Sequence, residues 1–353
     1  MPTMSSATVH VQPMFSRSTL TLEETRDAMA AKPPSFATLT GGWASTNNHQ
    51  SNLGSIGSAP PSSIPVIDEA TNVLPRMLRA RFYYWSTPPA GVKNYPGYNP
   101  HAIRRLAALD IVITESGQEH IGILISSRSR QLLNQRDGTV VALERILRDG
   151  DDTIRIDRFT SGLHLSDADI FLWLAVQRRD KPQVAVDITL DNVSGIRGRD
   201  ASSRTADLRA GVDFSRPNFL TSVAEADTLG PIDISFVHHA GTENRSIRAM
   251  VHVDGGFEIH RSEIHFPSIL DIEDLMVSAT LLLAYSLIPR LNDIYISDAG
   301  SWADRRIEVI EQAMDDLEQR YKSARAALIT RRNRISAQNL ELAAVPSEVE
   351  LIH

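Results

Sequence analysis

The strongest constraint on this chain lies toward its C-terminal end. There, apolar side chains recur at alternating spacings of three and four: Ile307, Ile310, Met314, Leu317, Tyr321, Ala324 and Leu328. An α-helix turns once per 3.6 residues, so this spacing sets all of them on one stripe, as in the seam of a two-helix pair. The residues between are largely Glu, Gln, Arg and Ala, which favour helix. Arg331 interrupts the stripe, and Ile335 resumes it once. A long helix over 301–345 is therefore expected, its stripe packed either on the chain's own core or on another helix. The charges beside the stripe bear on orientation. A parallel pair would set Arg320 against the partner's Arg325. An antiparallel pair centred near residue 319 would bring Glu311 close to Arg325 and pack Leu317 on Tyr321, so antiparallel association is expected.

Upstream, the chain reads as α+β. RARFYYWS, from Arg79, alternates and is aromatic, the pattern of a strand. Asn99 and Pro100 are placed to start a short helix through HAIRRLAAL. DIVITES (110–116), HIGILISSR (120–128) and DTIRIDRF (152–159) are β-rich. TVVALERIL (139–147) and IFLWLAVQRR, the second after a Ser166-x-x-Asp169 start signal and before Pro182, read as helices. QVAVDITLDNV (183–193) is a strand. IDISFVHH, SIRAMVHVD and FEIHRSEIHF then form an antiparallel meander, turning at AGTENR and at Asp254-Gly255-Gly256-Phe257. From Asp271 onward the chain is helical. The expected fold is α+β: a mixed central sheet with flanking helices, an antiparallel β-meander and a long C-terminal helical tail.

No repeat or Pro/Gly-rich linker divides the middle of the chain, so a single body over 76–300 is expected. Residues 1–75 read differently. Between Pro33 and Ile67 no residue is charged, and Ser, Thr, Gly and Asn dominate, too little apolar surface to offset the entropy of ordering. A flexible N-terminal arm is expected there, carrying one short helix that Thr21-Leu22-Glu23-Glu24 starts as a capping box.

Composition narrows the chemistry. A net charge of −7 argues against coating nucleic acid or membrane by bulk charge. The longest charge-free apolar stretch, between Asp274 and Arg290, falls short of the roughly 20 residues that span a bilayer and reads as a buried core helix. Met1 to Phe15 mixes Ser, Thr, His and Gln, and a cytoplasmic protein is expected. Cysteine is absent, which removes thiol nucleophiles, disulfides and cysteine-based metal sites. Lysine occurs only at Lys32, Lys93, Lys181 and Lys322. No P-loop, nucleophile elbow, His-Glu-x-x-His or dinucleotide-binding glycine motif appears. No cofactor is expected.

Three constellations remain. Arg197, Arg199, Ser202, Ser203 and Arg204 precede TADLRA and Arg209 lies within it; read as a short helix, that segment would offer free amides, hydroxyls and guanidinium groups to a phosphate of nucleic acid or nucleotide. The same residues also read as a surface loop laced by Arg–Asp pairs. His238, His239, His252, His260 and His265 lie in the meander. A two-residue Gly255-Gly256 turn would pair His252 with Ile259 and His260 with Val251, pointing the two rings to opposite faces, so no metal site is expected. Asp187 and Asp191 would share one strand face, with Asp110 and Glu115 flanking another. The aromatic run Phe82-Tyr83-Tyr84-Trp85 suits core packing. Together these point to a binding and assembly protein that associates through Ile307, Ile310, Met314, Leu317, Tyr321 and Leu328, with an anionic ligand on the Arg-rich loop. The alternative is a metal-dependent hydrolase or nuclease built from scattered Asp and His.

Overall fold

The computed structural model describes residues 4, 6–35, 37–46, 64–71, 74–85, 97, 99, 104, 106–115, 120–129, 132–133, 138–148, 153–157, 165–200, 205–208, 226–269 and 271–343. In chain order these form β1 (Thr8–Arg17), α1 (Leu22–Ala30), β2 (Gly42–Ala44), β3 (Val66–Asp68), β4 (Met77–Trp85), β5 (Leu106–Glu115) and β6 (His120–Ile125). They continue through α2 (Thr139–Leu147), β7 (Ile156–Asp157), α3 (Ile170–Asp180), β8 (Gln183–Ala185), β9 (Ile188–Asp200) and β10 (Thr205–Leu208). The meander follows as β11 (Ala226–Ala240), β12 (Glu243–Val251) and β13 (Phe257–His265). α4 (Ile272–Leu282) and α5 (Ile288–Ala343) close the series, joined by a π-helical turn (Leu283–Leu287).

The strands make one sheet in the order β10-β9-β11-β12-β13-β1-β6-β5-β4-β2, with β3 on β4, β7 on β1 and β8 on β9. The α+β class with a helical tail holds, but every pairing among the described strands is antiparallel, so the sheet is not mixed. Parallel strands need long crossovers, usually helical, whereas β4, β5 and β6 are consecutive neighbours.

β1 holds the sheet together. Thr8–Val11 pair with β13, and Gln12–Arg17 pair with β6. The N-terminal segment assigned above to a flexible arm is therefore, over the described residues 8–46, an integral part of the body. Its apolar residues are few but well placed: Val9, Val11, Met14, Leu22, Met29 and Trp43 are all buried. The Thr21–Glu24 capping box forms as expected, with the Glu24 amide donating to the Thr21 hydroxyl at 3.2 Å and the Thr21 amide donating to the Glu24 carboxylate at 2.8 Å.

Alternation along β1 separates two cores. Val9 and Val11 belong to the larger one, where the meander packs on α3, α4 and the start of α5 through Phe171, Trp173, Phe236, Phe257 and Met276. Met14 points to the other face, where β4–β6 pack on α1 and α2 through Leu22, Phe82, Ile123 and Leu143. Two further expectations change. Leu106–Leu109, expected to end a helix, begin β5, because burial on both faces of the sheet outweighs their helix propensity. The strand expected over 183–193 is broken at Val186-Asp187 into the β8–β9 hairpin.

Helix α4 starts at Asp271, whose carboxylate accepts the amides of Glu273 and Asp274 at 2.9 and 3.1 Å. Pro289 lies one residue into α5. It donates no amide, and its ring would crowd the carbonyl four residues earlier, that of Tyr285, so the backbone widens into the π turn there and the helix continues. The run Ile272–Ala337 includes a window long and apolar enough to cross a membrane by length and composition; 56% of that window is buried inside the protein.

Candidate assembly surface

Helix α5 has 56 residues, about 84 Å at 1.5 Å per residue. Its first turns are anchored: Ile288, Leu291, Tyr295 and Trp302 are buried. Asp298 accepts the Trp173 indole N–H at 2.8 Å, and Arg306 pairs with Asp169 at 2.7 Å. Over the next turns only one side still meets the body, with Ala313 buried and Val309, Ile310 and Leu317 partly buried against the larger core. From Glu318 to Ala337 every residue is exposed.

The stripe read from the sequence thus divides. Ile310 and Leu317 lean toward the body, while Ile307, Met314, Tyr321, Leu328 and Ile335 stand exposed by 55%, 57%, 69%, 67% and 47%. These five lie seven residues apart and form a single line along the helix. The body does not cover this line, whereas the neighbouring Ile310 and Leu317 of the same stripe pack on the larger core. On one flank, four residues after successive members of the line, stand Glu311, Glu318, Arg325 and Arg332. The flank is acidic before Tyr321 and basic after it. Glu318 also pairs with Lys322 of its own helix at 2.7 Å, an exposed contact worth little and readily exchanged. This reversal of sign is legible in the sequence, at the same spacing of seven.

The Arg-rich segment is built differently from the expectation. Thr205–Leu208 form β10, not a helix, and pair with β9 so that Thr205 faces Arg199 and Asp207 faces Arg197. A strand presents no cluster of free amides at its start, so the helix-based anion cradle is not formed. Ser202, Ser203, Arg204 and Arg209 lie outside the described residues.

The histidines do not converge. The β12–β13 connection spans His252 to Gly256, with Gly255 at φ +71°, and the register beyond it pairs Val251 with Phe257 and Ala249 with Ile259. The connection is therefore five residues long rather than the expected two-residue Gly255-Gly256 turn. The ring Nδ1 of His260 lies 2.8 Å from the Thr8 hydroxyl, and that of His239 lies 2.8 Å from the Asn244 amide oxygen. Asp187 sits in the β8–β9 turn, where Arg290 donates to it at 2.7 Å and His238 Nε2 approaches to 3.4 Å; the Arg290 bond first of all holds its pKa down at about 2. Asp191 is exposed elsewhere, so the two acids do not share a site. Asp110 lies mid-strand and buried against Arg81. Among the described residues no three His or carboxylate groups are placed to hold a metal ion.

A cleft of about 350 Å³ opens between β2, β4 and the start of α2, lined by Trp43, Phe82, Tyr84, Lys32, Arg104 and Arg145. No protein-family profile matches the chain, and no curated protein matches it.

Proposed function

We propose that this chain is an assembly protein, a β-sheet body that self-associates through the exposed line of α5. The single observation behind this reading is the line itself: five large apolar side chains at successive sevenfold positions, left open by their own body. Scattered exposed apolar residues are ordinary, but a continuous file on a helix is the pattern of a surface awaiting another helix. Fully burying each such side chain contributes roughly 1.5–3 kcal/mol, against the ordering cost of association. The flank supports a second copy as partner, because its acidic half complements its own basic half when the helix is reversed. The choice of partner rests on this complementarity.

The test is size-exclusion chromatography with light scattering on the full chain. The wild type is expected to run as a species larger than the monomer at micromolar concentration. Leu328→Asp, at a position with no contact to the body, should shift it to monomer with the circular dichroism of the body retained. A monomeric wild type would remove the proposal.

A further inference from the structure

Resting on the reading that α5 self-associates, we infer that two copies pair antiparallel in one register, centred between Lys322 and Ser323. In an antiparallel pair each residue of the exposed line lies level with a residue of the neighbouring file, here Ile310, Leu317, Ala324 and Arg331. The register is therefore decided by which residues of the two files meet and which charges are brought together on the flanks.

Centred between Lys322 and Ser323, the layers are Tyr321 on the partner's Ala324, Leu328 on the partner's Leu317, and Ile335 on the partner's Ile310, each occurring twice by symmetry. Large meets small at the middle, and aliphatic meets aliphatic outside it. Arg331 falls opposite the partner's Met314, where its methylene stem covers the thioether and its head stays in water. On the flank, Glu318 meets the partner's Arg325 and Glu311 meets the partner's Arg332, giving four ion pairs by symmetry. On the other flank Arg320 faces the partner's Ala327, while Ala313 is buried against its own body and takes no part in the pair. No like charges meet among these positions.

The competing arrangements fail on the same residues. Centred near residue 319, one heptad away, Glu318 meets its own copy in the partner, as does Arg320, and Arg306 meets the partner's Arg334. The attraction of Glu311 for the partner's Arg325 survives there, but alongside these repulsions. In a parallel pair Arg331 stacks on the partner's Arg331 inside the seam, and Arg320 faces the partner's Arg325. Only the register centred between Lys322 and Ser323 leaves the seam apolar through its middle and the flanks free of like charge. The two bodies then leave opposite ends of the paired helices.

The chain lacks cysteine, so introduced thiols report the register without background. Leu317→Cys and Leu328→Cys chains, mixed and oxidised, are expected to cross-link to each other and not to themselves, since a disulfide needs Cα atoms within about 7 Å. Tyr321→Cys mixed with Ala324→Cys, both exposed, repeats the test without touching the body. Glu318→Arg should weaken association about tenfold, and adding Arg325→Glu should restore it to within about threefold of wild type. Cross-linking of Leu317→Cys to Tyr321→Cys, or of either leucine variant to itself, in a chain that light scattering shows to be associated, overturns the register while self-association stands. A wild type that is monomeric and forms none of these cross-links overturns both.

Discussion

Arg81 and Asp110 form a buried ion pair in which each charge is tolerated only because the other is present. Their side chains are 8% and 1% exposed, and the guanidinium donates to both carboxylate oxygens, at 2.7 and 3.2 Å. The Met4 amide donates a further bond to Asp110 at 2.8 Å, and the Asp110 amide donates to the Ser126 hydroxyl. Removing the cation alone leaves a carboxylate in a place that water does not reach. Arg81→Ala is therefore expected to cost ~3–5 kcal/mol in urea unfolding. Replacing the pair together, Arg81→Met with Asp110→Leu, should cost less than the single change, though the Met4 amide then loses its acceptor at ~1–3 kcal/mol. A single substitution no worse than the double would show that the pair is not isolated from solvent.

At the scale of elements, the β12–β13 connection ties chemistry to backbone. Gly255 supplies the positive φ, Asp254 accepts both the Gly256 amide and Arg128 at 3.0 Å, and His252 is carried into the space beside them. Burial, and then the charge of Arg128, push the His252 pKa from 6.5 down to about 4. The imidazole is thus neutral in the fold, while the unfolded chain takes up a proton once the pH drops below about 6.5. Stability from this residue is complete above that pH and is lost as the pH falls toward 4, on the order of 2 kcal/mol. Urea midpoints at pH 7.5 and 4.5 should separate more for the wild type than for His252→Gln; equal separations would place the ring in water. The same turn marks the limit of sequence reading here. Strand and helix identities in the meander, in α2, α3 and in the tail were legible, because apolar periodicity acts locally; the Ser166-x-x-Asp169 signal forms no cap, since Asp169 stands at the N-cap of α3 without a side-chain bond to its amides. The length of the turn and its register were not, because they are decided by Asp254 meeting Arg128, more than a hundred residues away. β1 escaped for a related reason: its short apolar set gains meaning only between β13 and β6. Leu106–Leu109 looked helical because alanine and leucine favour helix wherever a sheet does not bury them.

On the scale of the whole molecule, the body and the distal part of α5 are separable. The two cores draw on residues no later than Leu317, and every side chain from Glu318 to Ala337 is exposed. A helix without tertiary contacts holds its form weakly, so in an isolated chain this stretch would fray, whereas pairing supplies the packing that long helices depend on. A chain ended after Leu317 should therefore keep the body's unfolding free energy, measured in urea, within about 0.5 kcal/mol of a monomeric full-length variant such as Leu328→Asp. It should also lose helical signal in circular dichroism and run as a monomer. The full-length wild type, in contrast, should gain helical content with concentration, as free arms become paired ones, and its apparent stability should rise with concentration by mass action. Loss of the body's cooperative unfolding on truncation would mean that the distal helix packs on the body after all. A helical signal independent of concentration across the range where light scattering sees assembly would mean that α5 does not order by pairing.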